Sequence, residues 1–138
     1  MGFFSLFKAP KPTPVIIIRD RTGREIDRVQ AWNLCNKDLR NRNWVGVDLS
    51  GQDLDGSDLS GTSMLGANLQ GASLCYCKLV GCEISYADAT GCDFSGANVA
   101  GCLLYRSETY GAKLRDVLLS EESDVPKIKV FQTGRVSI

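Results

Sequence analysis

The sequence predicts an all-β solenoid, and three observations predict it. Large residues, almost all apolar, recur every five positions from Leu34 to Leu119. Glycine recurs with the same period, two positions after these centres; eleven of the fourteen glycines share that phase. The position two before the centre is small, as at Ser57, Ala67, Ala72, Cys77, Cys82, Ala87, Cys92, Ala97 and Cys102. Sixteen of the eighteen centres are bulky and apolar, so the period is a repeat. Five residues on a helix advance about 500°, which would scatter the leucines around the cylinder. On a flat strand an odd period would place successive leucines on opposite faces. The pattern closes only if the chain turns a corner every five residues. Glycine tolerates the positive φ or close approach that a corner needs. Centres and small partners then face inward, and the structure is a solenoid.

Four segments follow in chain order. Residues 1–13 read as an extended arm: Phe3, Phe4, Leu6 and Phe7 form an apolar hook ahead of Pro10 and Pro12. Residues 14–31 read as a capping β-hairpin, with two strands around Arg21-Thr22-Gly23-Arg24. Exposed solenoid ends need such a lid. Residues 32–121 are the repeat. Residues 122–138 alternate after Pro126 and read as a C-terminal β tail.

The stretch "ANLQGASLCYCKLVGCEISYADATGCDFSGANVAG" resembles the pentapeptide-repeat family, whose pattern is roughly A-[DN]-L-x-x. The resemblance spans residues 32–121 and is cleanest over 47–101. It implies a right-handed quadrilateral β-helix of about four to five coils, with terminal β caps. Residues twenty apart should then stack, with coils about 4.8 Å apart. One ladder would be Leu34, Leu54, Leu74, Phe94 and Leu114. The next would be Leu39, Leu59, Leu79, Val99 and Leu119; the third Trp44, Met64, Ile84 and Leu104. The fourth, Leu49, Leu69, Ala89 and Thr109, thins toward its end. Lys37 and Arg42 fall on inward positions of the first coil, which should be open or capped there, since unpaired buried charge is costly. Tyr76, Tyr86 and Arg106 replace corner glycines and should protrude.

Catalytic chemistry finds little support in these residues. There is no histidine, which removes the commonest general base and a favoured zinc ligand. The glycines of "GQDLDGSD" mimic a phosphate loop, but Ser57 stands where lysine is required. No nucleophile, base and oxyanion site assemble, so the chain reads as a non-enzyme with no cofactor and no metal. Cys77, Cys82, Cys92 and Cys102 are inward, where cysteine acts as a compact hydrophobe. Cys82 and Cys102 should stack at a spacing that suits a disulfide, although parallel Cβ vectors oppose one. Cys35 and Cys75 point outward and are the better candidates for reactive thiols.

The surface is more informative. Net charge is zero, which argues against direct nucleic-acid binding. The charge is segregated: residues 1–44 carry nine basic and four acidic groups, and residues 46–104 carry Lys78 against seven acids. Asp48, Asn68, Asp88 and Glu108 should stack as an acidic column; the plainer reading is a solvated face that suits the fold. Val45, Leu65 and Tyr105 share an outward column, with Val80, Tyr86, Ala100 and Leu103 on it or beside it. Contiguous exposed apolar area marks an interface.

These features predict a structural or protein-binding solenoid, a subunit or accessory of a larger assembly such as a decoration or cement subunit of a virion. Its partner would be another protein or a second copy. The hook and Val45, Leu65, Tyr86, Leu103 and Tyr105 would form the interface. The alternative comes from the resemblance: some relatives mimic a DNA duplex and bind DNA gyrase or topoisomerase IV, protecting it from quinolones. Asp48, Asp88 and Glu108 would then be the working face. No apolar run is long enough to span a bilayer, and no signal peptide is evident. The expected location is the cytoplasm, or a particle assembled there.

Overall fold

The computed structural model describes residues 9–118. Two strands open it: β1 (Val15–Arg19) and β2 (Glu25–Gln30). They pair antiparallel, with Val15 opposite Gln30 and Ile18 opposite Asp27. The connecting turn is organised by one carboxylate. Asp20 Oδ1 accepts from Thr22 N at 2.9 Å, Thr22 Oγ1 at 2.6 Å and Arg24 N at 3.0 Å. Gly23 supplies the positive φ of 88°.

From Asp38 to Leu118 the chain winds as a β-helix. Every parallel bridge joins residues twenty apart: Asp38 to Asp58, Asn43 to Ser63, and so on to Asn98 and Leu118. Four pentapeptides therefore make one turn, and no helix occurs among the described residues. Each centre from Leu39 to Val99 donates its N–H to the coil above, as Leu54 does to Ser73 O at 2.9 Å. The residue before the centre donates to the coil below, as Ser73 does to Gln52 O at 2.9 Å.

The corners explain the glycines. Ser57 N bonds back to Leu54 O at 3.0 Å, closing a four-residue turn whose third residue, Gly56, has φ of 72°. That is the type II turn, which demands φ > 0 at its third position. Tyr76, Tyr86 and Arg106 occupy the same position at φ of 58°, 58° and 53°. Their turns close less tightly, at 3.2, 3.3 and 3.3 Å. A Cβ in the left-handed region crowds the neighbouring carbonyl.

The core is the stack of centres. Leu39, Leu54, Leu59, Met64, Leu74, Leu79 and Ile84 are fully buried, and Phe94 nearly so. Each such side chain contributes about 1.5–3 kcal/mol of burial before entropy is counted. The small inward positions leave room for this stack and satisfy themselves locally. Thr62 Oγ1 donates to Leu39 O at 2.6 Å, and Ser107 Oγ to Ile84 O at 2.7 Å.

The hairpin closes the first coil. Asp48 N, which has no preceding coil to bond to, donates to Arg19 O at 2.9 Å, and Arg21 N donates to Gly46 O at 2.9 Å. Arg42 is paired, not stranded: its Nη1 reaches Asp27 Oδ2 of β2 at 2.7 Å. The same oxygen accepts from Nε1 of fully buried Trp44 at 2.7 Å. Lys37 is half-buried. The hook residues Phe3, Phe4, Leu6 and Phe7 and the tail 122–138 lie outside the described residues.

Candidate functional site

The outer surface carries two faces of interest, and the coil register sets both. The first is apolar. Leu103 lies above Glu83 in the parallel register. Leu103, Tyr105, Tyr86 and Val45 are about half exposed, at 56%, 55%, 54% and 47%, with Val80 and Leu65 somewhat less. The corner at Tyr86 brings its ring edge-on to Tyr105, with centroids 5.8 Å apart and planes at 83°. That geometry suits the opposed edge and face charges of two aromatic rings. The Arg106 guanidinium sits 5.3 Å from the Tyr105 centroid. Ser85, the outward residue between Leu65 and Tyr105 in the column, is buried, and its Oγ accepts from Tyr105 N at 3.1 Å. Val45 borders a shallow hollow with Arg24, Glu25 and Ile26, so the face runs up to the hairpin.

The second face is acidic. Asp48, Asn68, Asp88 and Glu108 stack in consecutive bridges, as the spacing predicts. The structure also gives these side chains a local task. Asp48 Oδ1 accepts from Ser50 N at 3.1 Å, and Asp88 Oδ1 from Thr90 N at 3.1 Å. Asn68 does the same for Gln70 N at 3.2 Å. Asp53, Asp58, Asp93 and Asn98 repeat the contact elsewhere. Each side chain thus satisfies a backbone donor two residues on, an Asx turn. Hydrogen bonds from Ser50, aided by the Arg21 cation, hold the Asp48 carboxyl below its ordinary range. Partial burial works against the charge of Asp88, but bonds from Thr90 and Gln70 and the charge of Arg21 outweigh it.

All six cysteines are free. Cys77, Cys82 and Cys92 are buried, and Cys102 is half-buried near the end of the described coils. Burial pushes the Cys77 thiol up to about 12. Cys35 and Cys75 are outward and half-exposed, more accessible than the buried Cys77, Cys82 and Cys92. Burial raises both, and neighbouring carboxylates add to it: Asp53 beside Cys35, Asp93 and Asp55 beside Cys75. A thiol held in its protonated form is a poor nucleophile. Among the described residues no group of three or more histidine, cysteine or acidic side chains is placed to hold a metal ion.

The decisive comparison is with protein families. The family model described as pentapeptide repeats (8 copies) matches residues 38–71, 67–105 and 82–120, which together exceed half of the chain. The chain belongs to the pentapeptide-repeat family. A solved pentapeptide repeat protein from the Arabidopsis thaliana thylakoid lumen is 34% identical, with a TM-score of 0.60 over 63% of this chain and 59% of that one. HetL, a pentapeptide repeat protein involved in heterocyst differentiation regulation in the cyanobacterium Nostoc, is 24% identical. Its TM-score is 0.62 over 68% of this chain and 43% of its own. This pentapeptide-repeat chain therefore spans less than two thirds of the length of either neighbour. Both likenesses imply the right-handed β-helix. QnrB1, a plasmid-mediated fluoroquinolone resistance protein, is 20% identical over 63% of this chain and 62% of its own and superposes poorly, with a TM-score of 0.23. No curated protein matches the chain. No helix among the described residues is long and apolar enough to cross a membrane.

Proposed function

We propose that this pentapeptide-repeat chain is a non-catalytic, protein-binding solenoid, a subunit or accessory of a larger assembly. A decoration or cement role on a particle assembled in the cytoplasm suits it. One observation carries the reading: the apolar face of Val45, Leu65, Val80, Tyr86, Leu103 and Tyr105 stands exposed on a rigid wall of hydrogen-bonded coils. These aromatic and aliphatic side chains flank a column of Asn43, Ser63, Glu83 and Leu103, and an apolar rim around a few polar groups favours a protein partner. Leu65→Asp with Tyr105→Asp tests it. The wild-type chain, tagged and recovered from its native source, is expected to retain a protein partner in fixed ratio. The double variant should lose it while keeping the wild-type melting temperature. Retention by the folded variant would refute the reading.

The acidic column favours a second reading, a DNA mimic that binds gyrase or topoisomerase IV. Its continuity in register supports that reading. Neutral Asn68 and the nearby Arg21 weaken it, as do the backbone bonds that occupy the carboxylates. Gyrase supercoiling that is unaffected by the purified protein at high concentration would dispose of it.

A further inference from the structure

We infer that the apolar face is filled by Phe3, Phe4, Leu6 and Phe7 of a second copy, so that the chain self-associates through its N-terminal arm. This rests on the reading of that face as a protein-binding surface, and it names the occupant.

The direction of the arm comes first. Pro10, Pro12 and Pro14 alternate with Ala9, Lys11 and Thr13. Proline fixes its own φ, and a residue before proline is held in extended conformations. All six residues are therefore extended, a stiff run of about 19 Å at the usual rise of about 3.1 Å per residue. Its base is anchored, since Pro14 O accepts from Ala31 N at 3.0 Å. Residues 9–13 are exposed and unpaired with any strand. The path of β1 fixes where the run departs. Arg19 and Arg21 pair with Asp48 and Gly46, beside the Val45 corner. Toward Val15 the strand leaves that corner, and its far end is held beside Gln30 and Ala31. The arm therefore starts at the end of β1 remote from the Val45 corner. A stiff run that departs there favours a neighbouring copy as the target of the hook sequence.

The size of the face comes second. At the observed exposures, two tyrosines and four aliphatic side chains present on the order of 500 Å². That is about the apolar share of one side of a standard interface of ~800 Å² per partner, enough to seat one apolar segment. Three phenylalanines and a leucine on one short segment match the patch, and the arm behind them adds contact area. Hook and face are different surfaces, so each copy offers one donor and one acceptor, a heterologous contact.

The test is complementation, using full-length chains. Phe4→Asp with Phe7→Asp removes the donor. Leu65→Asp with Tyr105→Asp removes the acceptor. Sedimentation velocity across a concentration series is expected to show the wild type self-associating and each variant monomeric, with melting temperatures unchanged. Mixing the two variants should restore a one-to-one complex, because one still has its hook and the other its face. A hook variant that associates like the wild type would overturn the inference and leave the protein-binding face standing. A mixture that stays monomeric, or a wild type monomeric at every concentration, would also overturn it. Loss of the face itself as a binding surface shows separately, as a partner retained by the face variant.

Discussion

Replacing Asp27 by Ala should unlatch the N-terminal cap. One oxygen, Asp27 Oδ2, accepts from Arg42 Nη1 and Trp44 Nε1, each at 2.7 Å. Trp44 is fully buried, so the truncation leaves an indole N–H without a partner, at about 1–3 kcal/mol. The ion pair adds less. Its side chains are 29% and 26% exposed, so water replaces part of what is lost, and about 1 kcal/mol is a fair share. The sum is about 2–4 kcal/mol, or roughly 7–14 °C in melting temperature for a chain of this size. Trp44 reports the event if Trp32, which is 67% exposed, is first changed to Phe. Emission from Trp44 should shift to the red, and amide exchange should rise in the first coil before the rest. The same carboxylate makes the effect depend on pH. Burial opposes its charge, but Arg42 and Trp44 outweigh burial and lower its folded pKa below the reference of 3.8. Its contribution is fully present above that reference value and is lost as pH falls through the lower folded pKa. The gap between wild type and Asp27→Ala should therefore narrow in acid below about pH 4. A variant within about 0.5 kcal/mol of wild type at neutral pH, with unshifted Trp44 emission, would refute this account of the cap.

Two further substitutions probe the coils. Leu74→Ala, at a fully buried centre between Leu54 and Phe94, should cost about 2–5 kcal/mol in urea denaturation, because neighbouring coils cannot collapse into the gap. Gly81→Ala and Gly96→Ala share a positive φ, 65° and 69°, and each should lose about 1–2 kcal/mol. Only at Gly96 would the new Cβ fall 2.5 Å from the Tyr76 ring. Its excess cost should vanish when Tyr76 is also replaced by Ala, which a double-mutant cycle measures.

Much of this architecture was legible because the repeat is local. The leucine centres, the small inward positions and the corner glycines each follow from a rule that holds within five residues, and those among the described residues are where the period puts them. The hairpin was legible from its turn residues and alternation. The task of Asp48, Asp58 and Asp88 was not. A sequence shows their charge, whereas the bond from each to a backbone N–H two residues on appears only once the corner is built. Asp27 was missed for a related reason: its partners, Arg42 and Trp44, are fifteen and seventeen residues away, across the lid. Cys35 and Cys75 were read as outward, which they are, but the carboxylates stacked beside them come from other coils. Of the proposed interface, the column of Val45, Leu65 and Tyr105 was legible. The pairing of Tyr86 with Tyr105 depends on a corner conformation that glycine usually takes.

The bridges that join residues twenty apart also set how the chain folds. Each new coil closes a loop of the same length against the one before it, so the search never lengthens as the rod grows. A separation of twenty in a chain of 138 gives a relative contact order of about 0.14, between fast helical bundles and slow β-sandwiches. Growth can run as a zipper from the hairpin, where the first coil already finds its backbone partners. Length then becomes a free variable: excising twenty residues in phase, from Ser57 to Tyr76, would join Gly56 to Cys77 and leave every remaining rung with a rung beneath it.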